Sequence, residues 1–463
     1  MHVVVLGAGL TGLAAGLELA RGGHRVTLLE RELQVGGMAA SWRHGPYWLD
    51  FGPHRFHTRD PELEAHVTEV LDGEVVRRER LSRIHLQGRY FRYPLEVRDV
   101  LSGLDRRLLL ASLRDYLLTR ARRLVRPRPD THFENWVSER FGRTLYELFF
   151  EPYTSKAWGL PCTEISADWA AQRISQANLL DTIRHTLLPP RDGSVRSLAG
   201  EFLYPRRGGI GQLARKYAEK IRAAGGAIRL GSTVHALERR GERVLRVHHE
   251  VLGEREALEA DWVVNTAPVN RILPLVTPDL GSSAAASARG LEHVAIVFVY
   301  LEVRRPRVSP DHWIYLPERH LTVHRVSEFK NFSDDAAPGD RTVLCCEITC
   351  REGDPIWRLG LSEAGRLASE DLVRCGLLQP GEATPLELQR LPHAYPVYRV
   401  GYREPVEALF GASRQLGNLL HAGRQGLFRY NNMDHSIAMG RHAATQVGAT
   451  SPREFVLPGE PFG

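Results

Sequence analysis

The chain has 463 residues, 43% of them hydrophobic and 25% charged, a composition of globular proteins with more material than one compact core holds. A formal net charge of +6 is small for this length and argues against a nucleic-acid partner; only four of the 61 basic residues are lysine. No stretch reaches the ~18 continuous apolar residues that cross a bilayer, and the N-terminus carries no basic leader or cleavage pattern, so a cytoplasmic protein is expected. Cys345, Cys346 and Cys350 cluster in an apolar run without paired CxxC knuckles, which predicts buried thiols and no metal.

HVVVLGAGLTGLAAGLELARGGHRVTLLERELQVGG (2–37) reads as strand, glycine turn, helix, strand and a second glycine pair. Gly7, Gly9 and Gly12 suit a tight turn, a close approach to a pyrophosphate and helix-on-strand packing. The pyrophosphate would sit on the N-terminus of the helix from about Leu10 to Arg21, where free N–H groups favour an anion. Glu30 closes the second strand, where a carboxylate can accept from ribose hydroxyls, and Arg31 follows it.

ASWRHGPYWLDFGPHRFHTRDP (40–61) is a loop-rich stretch, and residues 76–204 then carry Leu- and Arg-rich helical patterns with short aromatic strands such as GRYFRYP. Within them, LSGLDRRLLLASLRDYLLTRARRLVRPRP (101–129) reads as a basic amphipathic helix, either a solvated lobe helix or a membrane-surface face. The α/β style returns at 205–270, residues 290–394 read as a strand-rich lobe, and NLLHAGR with HSIAMGRHAATQVG closes the chain as strand and helix.

Dinucleotide-type segments thus recur at start, middle and end. Nicotinamide dehydrogenases usually finish that domain in one run, whereas glutathione-reductase-like flavoproteins return to it late. With Gly36 and Gly37 after ELQV, this predicts FAD on an α/β fold: a discontinuous FAD-binding Rossmann domain (1–75, 205–275, 395–450) with an inserted mixed α+β substrate domain (76–204, 276–394). Gly37, Met38, Gly423 and Met433 join Gly7, Gly9, Gly12, Glu30 and Arg31 as candidate cofactor contacts.

FGPHRFHT (51–58), EPYTSKAWGLPCTEISADWAAQRI (151–174), HRVSEFKNFS (324–333), YPVY (395–398) and GRQGLFRYNNMD (423–434) together resemble the flavoproteins related to UDP-galactopyranose mutase, within the amine oxidase and protoporphyrinogen oxidase superfamily. The resemblance implies that Tyr153, Tyr430 and Tyr395 (or its neighbour Tyr398) hydrogen-bond a substrate diphosphate and that Arg173 and Arg325 hold the diphosphate and its sugar. It places Trp158 in the substrate pocket, Arg424 beside the flavin and His54 near its reactive edge. From the residues alone, Tyr153 and Trp158 could equally be core aromatics, His54 a structural loop histidine, and Arg325 the partner of Glu328 or Glu347 in an ion pair. The chain departs from the mutase pattern by an extra residue between Trp158 and Arg173, by Phe428 where a tyrosine often lies, and by an added strand and helix at about 341–390. The last feature, with HAYPVYRVGY, is closer to the oxidase branch.

No nucleophile elbow, glycosidase-like carboxylate pair or zinc signature is present, so a cofactor must carry the reaction. The resemblance implies a small-molecule substrate, a sugar diphosphate, isomerised without net redox change through covalent chemistry at flavin N5. The oxidase-like features imply instead a hydride transfer from an amine, ring carbon or alkyl chain to oxidised flavin. A flavin-binding scaffold without catalysis is the third expectation.

Overall fold

A computed structural model describes residues 1–93, 106–126, 128–173 and 200–449. It divides into two units, one of Met1–Arg77, Phe202–Glu292 and Arg403–Gly463, the other of Arg78–Glu201 and His293–Tyr402.

The first unit holds a five-stranded parallel sheet in the order Leu419–His421, Trp262–Asn265, His2–Leu6, Arg25–Leu29, Ala227–Arg229. Its strands are continuous apolar runs because the sheet is buried on both faces. The first helix, Leu10–Arg21, is buried along nearly its whole length, between the helices Gln212–Ala223 and Met433–Gln446. Residues 232–259 form an antiparallel meander, Ser232–Arg240, Arg243–Val251 and Glu254–Glu259, which the sequence reading did not separate from the α/β pattern. Its turns carry Gly241 and Gly253 at positive φ, and the strands are charged enough to mask their alternation.

The second unit is built on a seven-stranded sheet in the order Ala383–Pro396, His293–Val303, Thr342–Cys350, Arg325–Glu328, Trp313–Tyr315, Ser82–Leu86, Arg89–Arg92. The expected additional strand and helix are Thr342–Cys350 and Leu361–Arg374; the helix packs on Ala383–Pro396 and His293–Val303. Cys345, Cys346 and Cys350 are buried on the added strand as free thiols.

Two boundaries differ from the sequence reading. The helix Ser282–Arg289 packs on Arg403–Ser413, which keeps residues up to Glu292 in the first unit. Residues 395–402 stay in the second unit, because the strand Ala383–Pro396 pairs with His293–Val303 as far as His293 opposite Pro396.

At the end of the last parallel strand, His421 lies between Ser413 and Asn265. Asn265 Oδ1 accepts from Ala267 N, so its Nδ2 donates to His421 Nδ1, and His421 Nε2–H donates to Ser413 Oγ. That tautomer cannot take the serine proton, so the trio is structural. Burial pushes the His421 imidazole down to about 4 from 6.5. The unfolded chain therefore protonates first: the stability contribution is complete above pH 6.5 and is lost as pH falls towards 4. Denaturant titrations of wild type and His421→Gln across that window should differ in pH dependence by on the order of 3 kcal/mol, with the wild type losing more.

Candidate functional site: a dinucleotide cradle and an arginine–tyrosine cluster

In the first unit the cradle is built by close approach of backbones. Gly7 has φ +97°, and a Cβ there would meet Thr266 Oγ1 at 2.8 Å; a Cβ on Gly12 would lie 2.0 Å from Gly7 O. Gly9 caps the helix Leu10–Arg21, with no side-chain cap and no acid in the first turn, and open space where its Cβ would be. Gly36 N donates to Ala8 O at 2.8 Å, and a Cβ on Gly37 would stand 3.4 Å from Gly9 Cα. Gly423, at φ +77°, packs so tightly on the first turn of that helix that a Cβ would lie 2.4 Å from Thr11 Oγ1.

Glu30 is buried at the end of its strand, its Oε2 accepting from Ala8 N at 2.7 Å and its Oε1 from Glu32 N at 3.0 Å. Burial raises its carboxyl above the usual range, against those two hydrogen bonds. Each oxygen keeps acceptor capacity. An uncapped helix N-terminus at an open glycine and a half-satisfied buried carboxylate fit the pyrophosphate and ribose of a dinucleotide.

Arg424 links the glycine-pair loop to the C-terminal segment: Nη1 contacts Met38 Sδ at 3.3 Å, Nη2 donates to Asn431 O, and the guanidinium lies over the Tyr430 ring at 4.8 Å. Met433 is buried as the first residue of the helix Met433–Gln446. Arg31 is exposed, pairs with Glu32 and follows Glu30 directly, where its charge favours the Glu30 carboxylate. His54 follows the hairpin Ser41–His44 and Tyr47–Asp50 by a tight turn in which its N–H donates to Gly52 O at 2.8 Å.

The sequence reading missed what holds that turn. Asp50 is buried and accepts from Ser41 Oγ, Tyr204 OH and Ile210 N, while Gly211 N donates to Ser41 Oγ at 2.6 Å. A Cβ on Gly209 would lie 2.5 Å from Asp50 Oδ1. The glycine turn at 208–211 is thereby clamped to the hairpin that leads to His54. Burial pushes Asp50 up to about 6, opposed by the hydrogen bonds from Ser41 and Tyr204.

In the second unit, cross-strand register builds the cluster. Tyr315 stands opposite Arg325, and Arg325 opposite Glu347, so the three form a row on one face of the sheet. Arg325 Nε and Nη2 fork onto the two Glu347 oxygens at 2.6 Å each, which is one of the two ion pairs the sequence left open. Glu328 instead accepts from Val308 N, Ser309 N and Thr342 Oγ1. Burial works against the Arg325 charge, but Glu347, then the Tyr395 and Tyr153 phenols, hold its pKa well above the ordinary value. Its third nitrogen, Nη1, makes no hydrogen bond among the described residues and keeps two donors.

Tyr153 packs edge-on against Tyr315 at 5.2 Å, and Tyr315 against Tyr93 at 5.1 Å. Burial, then Tyr315, push the Tyr153 hydroxyl well up, so it stays a neutral donor. Trp158 is buried in an aromatic core against Trp169, with Tyr395 at 6.1 Å. Tyr398 stacks on Tyr402 at 4.4 Å instead, which leaves Tyr395 as the tyrosine of this cluster. Arg173 ends the helix Ala167–Arg173, and its side chain lies outside the described residues.

Three members were not legible in the sequence. Arg80 sits over Tyr93 at 5.9 Å with Nη2 donating to Tyr93 O and no carboxylate partner among the described residues; burial lowers its pKa. His324 is buried beside Tyr153, and burial, then Arg325, keep it neutral. Lys156, half-buried on the helix Glu151–Trp158, donates to the carbonyls of Leu316, Glu318 and Val323 at 2.7, 3.1 and 2.7 Å. It pins the Tyr153 helix onto the loop between Tyr315 and Arg325, and burial pushes its ammonium down to about 8.

The fold and the cradle define a flavin-dependent dinucleotide-binding class. The chain belongs to the flavin-containing amine oxidoreductase family, whose pattern it matches over residues 10–447, and FAD is the cofactor this family places on such a cradle. It is 25% identical over 176 residues to a protein of Klebsiella pneumoniae named "Probable UDP-galactopyranose mutase", covering 36% of this chain and 43% of that protein. It is 26% identical over 367 residues to coproporphyrinogen III oxidase of Propionibacterium freudenreichii subsp. freudenreichii, covering 67% and 65%. The chain thus spans less than two thirds of the length of either curated relative. A crystal structure of reduced UDP-galactopyranose mutase superposes with a TM-score of 0.82 at 21% identity, over 98% of this chain and 96% of that one, a likeness of fold.

Glu30→Ala should weaken FAD about 10- to 100-fold, read by fluorescence titration of the apoprotein, since hydrogen bonds to a charged group are removed. Lys156→Met strips the donor from three carbonyls, a cost of about 3 kcal/mol or more. It should lower Tm by several degrees while the FAD absorbance spectrum stays unchanged, because Lys156 and the cradle belong to different units.

Proposed function

We propose that the chain is an FAD-dependent isomerase of the mutase type, acting on a nucleotide-diphosphate sugar or related sugar conjugate. The observation that carries this reading is the cluster around Arg325: a guanidinium forked onto Glu347 with both Nη1 donors left over, beside the Tyr153 phenol, which burial keeps neutral. Such donors suit an anion that gains charge as it leaves a carbon.

Arg325 Nη1 would hold a diphosphate oxygen, with the Tyr153 and Tyr395 hydroxyls donating to the same group and Arg80 adding charge from across Tyr93 and Tyr315. Glu347 fixes the orientation of Arg325 and keeps it protonated. In the first unit Gly7, Gly9, Gly12 and Glu30 would bind the adenosine half of FAD, Gly37, Met38, Gly423 and Met433 would line the flavin side with Arg424, and Tyr430 would stand with Arg424 as a further donor. His54, on a turn held by the Asp50 clamp, would contact the flavin edge, and Arg173 would complete the diphosphate grip. When bound and reduced, the flavin supplies a nucleophilic nitrogen for the anomeric carbon, which asks no strong base of the protein.

A second reading, an FAD-dependent oxidase, dehydrogenase or desaturase, is supported by the likeness to the Propionibacterium oxidase and by the added strand and helix at 342–374. Anaerobic incubation with a panel of nucleotide-diphosphate sugars separates the two. The mutase reading expects isomeric products by chromatography with dithionite-reduced protein only, and Arg325→Gln should raise the dissociation constant for the free nucleoside diphosphate by tenfold or more. Bleaching of oxidised flavin by an uncharged amine or polycycle, with no isomerisation, overturns it.

A further inference from the structure

The helix Arg106–Val125 packs Leu108 and Leu109 on the apolar cluster of Leu86, Phe91 and Phe149, yet turns most of its other leucines outward. Ser112, Tyr116 and Thr119 are its buried side chains, packed towards the lobe, whereas Leu110, Leu113, Leu117 and Leu124 point to solvent. Their spacing of three, four and seven residues puts them on one stripe, and Leu118 and Val125 widen it. These six side chains are between 46% and 85% exposed. Stripes of this kind are normally turned to a core.

The inward face is genuinely occupied. Asp115 Oδ2 accepts from Thr144 N at 2.7 Å, Arg120 donates to the Tyr116 hydroxyl at 3.1 Å, Arg122 pairs with Glu139, and Gly142 leaves no room for a Cβ beside Asp115 and Tyr116. The leucines cannot turn inward without breaking these contacts.

Charge selects the occupant. Residues 106–128 carry eight arginines and one acid, Asp115. Arg114, Arg123 and Arg126 are exposed and make no ion pair among the described residues. A second copy of the chain would bring the same cationic face against itself, whereas an anionic lipid surface offers both the apolar layer and the opposite charge. Twenty residues of helix extend about 30 Å, enough to lie along a surface. No helix among the described residues is long and apolar enough to cross a membrane.

We propose that the helix Arg106–Val125 is a docking face for an anionic lipid bilayer, lying in its interface with Leu110, Leu113, Leu117 and Leu124 inserted and the arginines at the headgroups. This holds whatever substrate the protein takes.

The test uses the FAD-loaded full chain with vesicles of phosphatidylcholine alone and of phosphatidylcholine with about a third phosphatidylglycerol, in low and high salt. Co-sedimentation is expected with the anionic vesicles at low salt, falling tenfold or more in high salt and in the variant Leu110→Glu/Leu117→Glu/Leu124→Glu. Arg114→Gln/Arg123→Gln should lose the preference for anionic lipid. All variants change exposed side chains, and an unchanged flavin spectrum and Tm certify their fold. No sedimentation with anionic vesicles at low salt overturns the proposal, as does binding that the leucine variant leaves intact. A concentration-dependent dimer that the leucine variant abolishes, without vesicle binding, assigns the face to a second copy and also overturns it.

Discussion

Contact between backbones at the N-terminus of the first helix governs the first unit. Thr11 is touched from two other parts of the chain, by Gly423 and by Gly440, and a Cβ on Gly440 would lie 2.2 Å from Thr11 O. Gly12 rests on Gly7 O, and Gly9 bridges to Gly36. Segments 400 residues apart in sequence therefore meet within one helical turn, and only glycine permits the approach. The same crowding leaves the helix end free of side chains, which is the property an anionic pyrophosphate needs. The discontinuity of the fold and the capacity to hold FAD are thus two aspects of one constraint.

The second unit solves a different problem, keeping a positive charge in a protein interior. Arg325 is stabilised by a carboxylate two strands from Tyr315 in the row, and pairing uses only one edge of the guanidinium. A fully paired arginine would have nothing to offer a ligand, and an unpaired one would be costly to bury. Lys156 uses the same device with three carbonyls, and there every proton is spent, which is why it reads as a fastener.

What was legible in the sequence followed from short-range sterics and from repeated residue patterns. Gly7, Gly12 and Gly36 announce themselves because no other residue fits, and the apolar strands His2–Leu6 and Trp262–Asn265 because they are covered on both faces. The meander at 232–259 stayed hidden because both of its faces carry charge. Tyr315, His324 and Arg80 were missed for a different reason: each becomes informative only through tertiary contact, where strand register sets Tyr315 beside Arg325 and ring contacts add Tyr153 and, through Tyr93, Arg80. Glu347 was one of two acids the sequence offered to Arg325, and register chose it, since Glu328 is taken by Val308, Ser309 and Thr342. Asp50 gave no signal beyond an acid at a strand end, although it clamps the turn that carries His54.

The central claim is that the protein grips a diphosphate while the bond between it and an anomeric carbon is broken and remade. Positional isotope exchange reads that event directly. A nucleotide-diphosphate sugar carrying 18O in the bridge between sugar and phosphorus, incubated anaerobically with the reduced holoprotein, should show label moving to the non-bridging positions of that phosphate, and more slowly with Arg325→Gln. Label that stays in the bridge while the same substrates, or uncharged ones, reduce the oxidised flavin would contradict the account.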